Sequence, residues 1–168
     1  MRTAAALLHV ADGHFQAIVV LLQSRLYGSA FALLRPLIET SLRGAWAYHC
    51  NNDRAVAEAV QRDKLPMMMD AVARLETFEA FSCGALSSIL EQIKTGLHSY
   101  THGGTVQVAN HLKTDAIEPS FSDAEIEEAM SIAAFFEQFV AAHVALVGNN
   151  LQLAEQIAQE SHLVSKAR

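Results

Sequence analysis

Two short segments carry residue types that could do chemistry, and the first is LHSYTHGGTVQ, residues 97–107. His98 and His102 lie four positions apart, which on a helix places two imidazoles on one face with the spacing of two metal ligands. The segment lacks the adjacent glutamate of zinc proteases, and a catalytic zinc needs a third ligand. The two histidines therefore belong either to a polar site or to a helix end, where the dipole favours protonated histidine.

The second segment is AFALLRPLIE, in which Arg35 and Glu39 are also four positions apart and can form an ion pair. Such pairs are often weak and exposed. Here the surrounding residues are strongly apolar, and a buried charge needs a partner or a ligand. We therefore predict that Arg35 and Glu39 form the floor of a polar pocket. If the pair is buried, Glu39→Ala should cost about 3–5 kcal/mol.

The rim of this pocket is predicted to be the segment HSYTHGG, whose hydroxyls and imidazoles can meet the remaining arginine donors. Gly103 and Gly104 allow a sharp turn there. No catalytic residue is assigned, and neither a metal nor a cofactor is expected. The predicted ligand-pocket residues are Arg35, Glu39, His98, Ser99, Tyr100 and His102.

Apolar residues that recur at spacings of three and four indicate an all-α helical bundle, with four long helices and several short ones. The long helices are predicted near 3–27, 30–50, 84–102 and 123–147. Ser29 is expected to cap the second of them, after a turn at Gly28. A capping box of Ser122 and Glu125 should begin the fourth. Residues 1–168 are expected to form a single helical domain.

Three side features accompany these helices. Pro36 should kink the second helix or restart it at Arg35. His143 lies in the middle of an apolar helix face, so we predict a core histidine with one hydrogen bond and a perturbed pKa. The methionine run 67–69 is interpreted as adaptable core or interface packing.

Composition limits the classes of function. The chain has 168 residues, of which 51% are hydrophobic and 18% charged, and its formal charge is −6. A surface this poor in charge predicts a homodimer that buries apolar area. The acidic balance disfavours RNA, although it leaves RNA open as a partner. No signal peptide or long uninterrupted apolar run is recognised, so a cytoplasmic protein without a membrane partner is expected.

SAFALLRPLIETSLRGAWAYHC, followed some fifty residues later by LHSYTHGGTVQ, resembles a family of uncharacterised bacterial helical proteins. That family carries an Arg-Pro-x-x-Glu helix and a His-Ser-Tyr-Thr-His-x-Gly segment, and it is distantly similar to HEPN-type helical domains. The wider resemblance implies a helical bundle, often dimeric and sometimes a ribonuclease of toxin or defence systems. HEPN nucleases carry an arginine four to six arbitrary residues before a histidine. No arginine has that spacing to His98 or His102, so one from the second helix would have to replace it.

Three hypotheses follow for the function. The first is a module that binds a small-molecule ligand or a protein partner at the polar pocket. The second is a HEPN-like ribonuclease with a displaced arginine. The third is a metal-dependent enzyme that uses His98 and His102.

Overall fold

The helices of the chain follow one another through short connections. The computed structural model describes residues 1–50, 52–112 and 115–166, and no strand is formed within these ranges. The all-α class is therefore confirmed. The helices are α1 (Arg2–Gln23), α2 (Tyr27–His49), α3 (Asp53–Gln61), α4 (Met68–Leu75), α5 (Ala85–Thr101), α6 (Thr105–Ala109), α7 (Asp123–Val147) and α8 (Leu151–Lys166). A 3-10 turn, Glu79–Phe81, lies between α4 and α5.

The start of α7 is the helix boundary that the sequence predicted best. The Ser122 hydroxyl accepts a hydrogen bond from the Glu125 amide at 3.2 Å, and the Glu125 carboxylate accepts one from the Ser122 amide at 2.8 Å. This is the reciprocal capping box, and it satisfies two donors that a helix start would otherwise leave free. The helix then runs to Val147 as predicted.

The predicted boundary between the first two helices is wrong. α1 ends at Gln23 and α2 begins at Tyr27, so Gly28 and Ser29 lie inside the first turn of α2 and Ser29 is not its cap. The turn instead uses Arg25, whose φ is +58°. Gly28 serves close packing, because an added Cβ there would lie 3.4 Å from the His111 ring and 3.6 Å from that of Phe121.

α2 is the central helix and contacts α1, α4, α5 and α7. It continues through Pro36, so of the two predicted alternatives, a kink there or a restart at Arg35, the restart does not occur. Thr40 donates its hydroxyl proton to the Pro36 carbonyl over 2.6 Å. The approach of α1 is very close at Gly44, where a Cβ would lie 2.8 Å from two side-chain carbons of Leu8. Arg35, Glu39 and Arg43, which belong to the candidate site described below, therefore lie on a helix that packs against several others.

Within the part of the chain that the structure describes, α1 and α7 are the helices whose length and composition would allow them to cross a membrane. Only 17% and 28% of their most apolar windows are buried, and α1 lies near the N-terminus. Core helices of soluble proteins and signal sequences pass the same test, so the evidence for a membrane is weak. The expected cytoplasmic location stays a prediction. The apolar run AIVVLL, residues 17–22, is part of α1, a longer helix of 22 residues.

Candidate functional site

Arg35 joins α2 to α5 through its guanidinium. Its Nε donates to Glu39 Oε1 over 2.9 Å, and its Nη1 lies 3.1 Å from Nδ1 of His98. The Arg35 and Glu39 side chains are 23% and 19% exposed. The structure therefore brings together the second helix and the histidine segment, which are 63 positions apart in sequence. The ion pair is half-buried, and it is neither a deep core pair nor a freely solvated one.

Arg43 adds a second guanidinium to the same carboxylate. Its Nη1 lies 3.6 Å from Glu39 Oε2, and its Nε donates to the Pro66 carbonyl over 3.0 Å. One carboxylate thus faces two arginines, so this part of an acidic protein carries surplus positive charge. Arg43 was not among the pocket residues predicted from the sequence. Its anchor at Pro66 depends on the loop before α4, which local helix periodicity does not locate.

The contact with Arg35 also sets the tautomer of His98. A guanidinium offers only donors, so Nδ1 of His98 must be the acceptor and Nε2 must carry the ring proton. The ring of His102 lies beside it, with centroids 4.7 Å apart. Both side chains are exposed. The imidazoles of His98 and His102 therefore lie at the end of α5, next to the Arg35 guanidinium, and His98 has a defined tautomer.

Ser99 was predicted to line the pocket, but it shapes the turn after α5 instead. It is buried, its hydroxyl accepts the Val106 amide over 2.9 Å, and its carbonyl accepts the Gly104 amide over 2.7 Å. A Cβ on Gly104 would lie only 2.9 Å from the Ser99 Cα. Gly103, with φ +64°, turns the chain there. Ser99 therefore stabilises the turn that follows the two histidines.

Tyr100 likewise faces away from Arg35. Its ring packs edge-on against Phe31 with centroids 5.0 Å apart, and its hydroxyl oxygen accepts a hydrogen bond from Asn110 over 2.8 Å. Burial raises the pKa of Tyr100, and the charges of Glu125 and Glu128 raise it further. Because successive helix residues are rotated by about 100°, His98 and Tyr100 point to different sides of α5.

Two clefts meet at Arg35. The first, here called the basic cleft, has a volume of about 310 Å³ and is lined by Arg35, Pro36, Glu39, Thr40, Arg43, Thr101 and His102. The second, here called the methionine cleft, has a volume of about 410 Å³ and is lined by Arg35, Met68, Met69, Lys94, Thr95, Leu97 and His98. The methionine run and Lys94 were not assigned to the site from sequence. They reach it because α4 and α5 both pack on α2.

Donors in the basic cleft come from its charged and imidazole side chains. The Thr40 and Thr101 hydroxyls donate to the carbonyls of Pro36 and Leu97, one turn back in their own helices. Their protons are therefore engaged, whereas the guanidiniums of Arg35 and Arg43 have more donors than the contacts above use. The arrangement suits an anion that accepts several hydrogen bonds.

A second pair of histidines lies elsewhere, in an aromatic cluster. His143 is buried, its Nδ1 lies 2.8 Å from the Phe139 carbonyl, and its ring centroid is 5.5 Å from that of His49. Neither Nε2 has a hydrogen-bond partner among the described residues. Burial lowers the pKa of His143 to about 4, and it also lowers the pKa of His49. The predicted core histidine is confirmed, while its pairing with His49 was missed because nothing local links the two residues.

The described side chains that could bind a metal ion give little support to a metal site. Within the ranges that the structure describes, no group of three or more His, Cys, Asp and Glu side chains is arranged to hold a metal ion. The two histidines at the end of α5 remain a pair, which is below the ligand number of a catalytic zinc.

Comparison with known proteins identifies a family that covers almost the whole chain. A family model described as a family of unknown function, DUF6988, covers residues 8–166, so the chain belongs to that family. No curated protein and no solved structure matches it. The expectation of an uncharacterised family is therefore confirmed, and the distant likeness to HEPN domains stays a prediction.

Proposed function

We propose that this member of the DUF6988 family binds a small anionic ligand in the basic cleft. The observation that carries the proposal is the unequal charge there, where Arg35 and Arg43 share the single carboxylate of Glu39. Glu39 holds both guanidiniums in place, and their remaining donors are directed by that pairing. A phosphate or carboxylate group offers the acceptors that such a preorganised pair can bind.

The net negative charge of the protein favours a small anionic ligand over a long polyanion. The formal charge of −6 repels a long polyanion, whereas a single anionic group experiences mainly the local charges. The adjoining methionine cleft offers Met68 and Met69, whose flexible side chains adapt to apolar groups. A ligand that bridges both clefts would thus place its anionic group near Arg43 and an apolar part near the methionines.

The test is an NMR titration of the 15N-labelled protein with inorganic phosphate at constant ionic strength. Saturable shifts of the Arg35 and Arg43 Nε–Hε signals are expected. Arg43→Gln should weaken phosphate binding about tenfold or more, the scale of one lost charge-assisted hydrogen bond. Arg54→Gln is the matched control, since Arg54 pairs with Glu58 at the same helical spacing and its side chain is 90% exposed. Absence of saturable binding, or equal affinity in Arg43→Gln, would contradict the proposal.

A ribonuclease is the second candidate, and the contact between Arg35 and His98 favours it. Arg35 on α2 would then take the role that, by the resemblance, belongs to an arginine close in sequence to the histidine. One imidazole would take the proton from the ribose 2′-hydroxyl as its oxygen attacks phosphorus. The other would give a proton to the departing 5′-oxygen, which leaves a 2′,3′-cyclic phosphate and a 5′-hydroxyl. Arg35 would neutralise charge on the phosphoryl oxygens.

This alternative is tested with single-stranded RNA and analysis of the termini. Cleavage that leaves cyclic phosphates and is lost in both His98→Ala and His102→Ala would support it. His9→Ala serves as the control, because His9 is an exposed histidine on α1. Phosphate binding without any cleavage would leave the ligand-binding module as the function and exclude the nuclease.

A further inference from the structure

A third cavity, here called the α7 cavity, lies between α2, α5 and α7 and has a volume of about 230 Å³. It opens on a different face of α5 from the basic cleft, because Tyr100 and Gly96 line it while His98 and His102 do not. Its walls are mainly apolar and include Phe31 and Ile132. Such a concave apolar site with a few polar groups has the composition of a small-molecule pocket.

The polar lining of the α7 cavity consists of Gln92, Tyr100 and two carboxylates, those of Glu125 and Glu128. Glu125 accepts hydrogen bonds from Ser122 and Asn110, which lower its pKa and keep it charged. Glu128 is exposed on the next turn of α7. Their negative potential reaches the cavity, since both charges raise the pKa of Tyr100 in addition to the effect of burial. Among the described residues, neither glutamate takes part in an ion pair given by the structure.

Gly96 supplies an independent observation. It lies in the interior of α5, where glycine is destabilising relative to alanine. Neither a positive φ nor a close neighbour requires glycine there, because an added Cβ would meet no atom within 4 Å. The missing side chain leaves room in the cavity wall that the described part of the chain does not fill. Open space of this kind, next to two carboxylates that form none of the ion pairs given for the described residues, suits an occupant of positive charge.

We propose that the α7 cavity binds a small organic cation whose ammonium group lies near Glu125 and Glu128. Its apolar or aromatic body would pack against Phe31, Ile132 and the open surface at Gly96. The carboxylates provide charge complementarity, and the neighbouring aromatic rings can add cation–π attraction. This site is separate from the basic cleft in both position and sign of charge, so it does not depend on the anion-binding proposal.

The test is a titration of the full chain with 2-phenylethylammonium, followed by the amide NMR signals of Gly96 and Tyr100. Saturable shifts are expected, with at least fivefold weaker binding of the uncharged analogue 2-phenylethanol. Glu128→Gln should weaken the cation about two- to fivefold, the range of an exposed charge pair. The control Glu127→Gln changes a neighbouring exposed glutamate that does not line the cavity and should leave the affinity unchanged.

A steric test uses Gly96→Leu, which places a side chain in the cavity and also favours the helix. We expect at least a tenfold loss of 2-phenylethylammonium affinity while circular dichroism stays unchanged. Gly13→Leu is the matched control, since Gly13 is also helical and open but lies on α1. Retained binding in Gly96→Leu would overturn the proposal. Equal affinity for 2-phenylethanol, or no saturable shift with the cation, would overturn it as well.

Discussion

Replacing His143 with phenylalanine should make the stability of the protein less dependent on pH. Burial lowers the pKa of this histidine to about 4, whereas an unfolded histidine titrates near 6.5. Between these two pH values, the unfolded chain therefore binds a proton at His143 that the folded chain does not bind. Stability contributed by neutral His143 is complete above about pH 6.5 and is lost as the pH falls toward 4.

The magnitude follows from these two pKa values. A tenfold difference in proton affinity is worth about 1.4 kcal/mol, which limits the whole effect to about 3 kcal/mol. Near pH 5 the unfolded histidine is mostly charged and the folded one is still mostly neutral. When the pH falls from about 7.5 to about 5, the difference in protonation of His143 should therefore lower the free energy of unfolding by about 2 kcal/mol. Glu137 acts in the opposite sense, because burial raises its pKa, but it is present in both proteins and cancels in their difference.

The assay is urea unfolding followed by the fluorescence of Trp46, the single tryptophan, which is buried in the folded chain. The wild-type protein and His143→Phe are compared at both pH values, and the variant should lose about 2 kcal/mol less on acidification. His9→Phe controls for removal of an exposed histidine and should keep the wild-type dependence. The same loss in the wild type and in His143→Phe would refute the reasoning.

Three further outcomes are expected. Glu39→Ala should lower the free energy of unfolding by about 1–2 kcal/mol, which urea unfolding measures. This loss is smaller than the roughly 3–5 kcal/mol expected for a buried pair, because the Glu39 side chain is 19% exposed. A loss above about 3 kcal/mol would contradict this reasoning. Gly104→Ala should cost about 1–3 kcal/mol in thermal unfolding, since its Cβ would lie 2.9 Å from the Ser99 Cα, and a neutral effect would argue against that close approach. Exposed apolar residues on α1 and α7, among them Val20 and Val144, fit the predicted homodimer, which light scattering at micromolar concentration would exclude by giving a monomer mass.

Local signals in the sequence were enough to locate most of the helices. The capping box at Ser122 depends on residues three apart, so the start of α7 could be predicted from a few neighbouring side chains. The same local reasoning failed at Gly28. Glycine is common both in turns and at close contacts, and only the position of Phe121, far along the chain, shows that the second explanation holds.

The candidate site was likewise only partly predictable from local signals in the sequence. The spacing of Arg35 and Glu39 among apolar residues was enough to predict that they pair and that the pair needs further partners, because charges on an apolar helix cannot stay unsatisfied. The contact between His98 and Arg35 could not be predicted from local sequence, since it depends on how α5 packs on α2. The packing of the helices also places Ser99 and Tyr100 against other neighbours. Consecutive residues of a helix point in different directions, so a continuous motif becomes a single site only where the surrounding helices permit it.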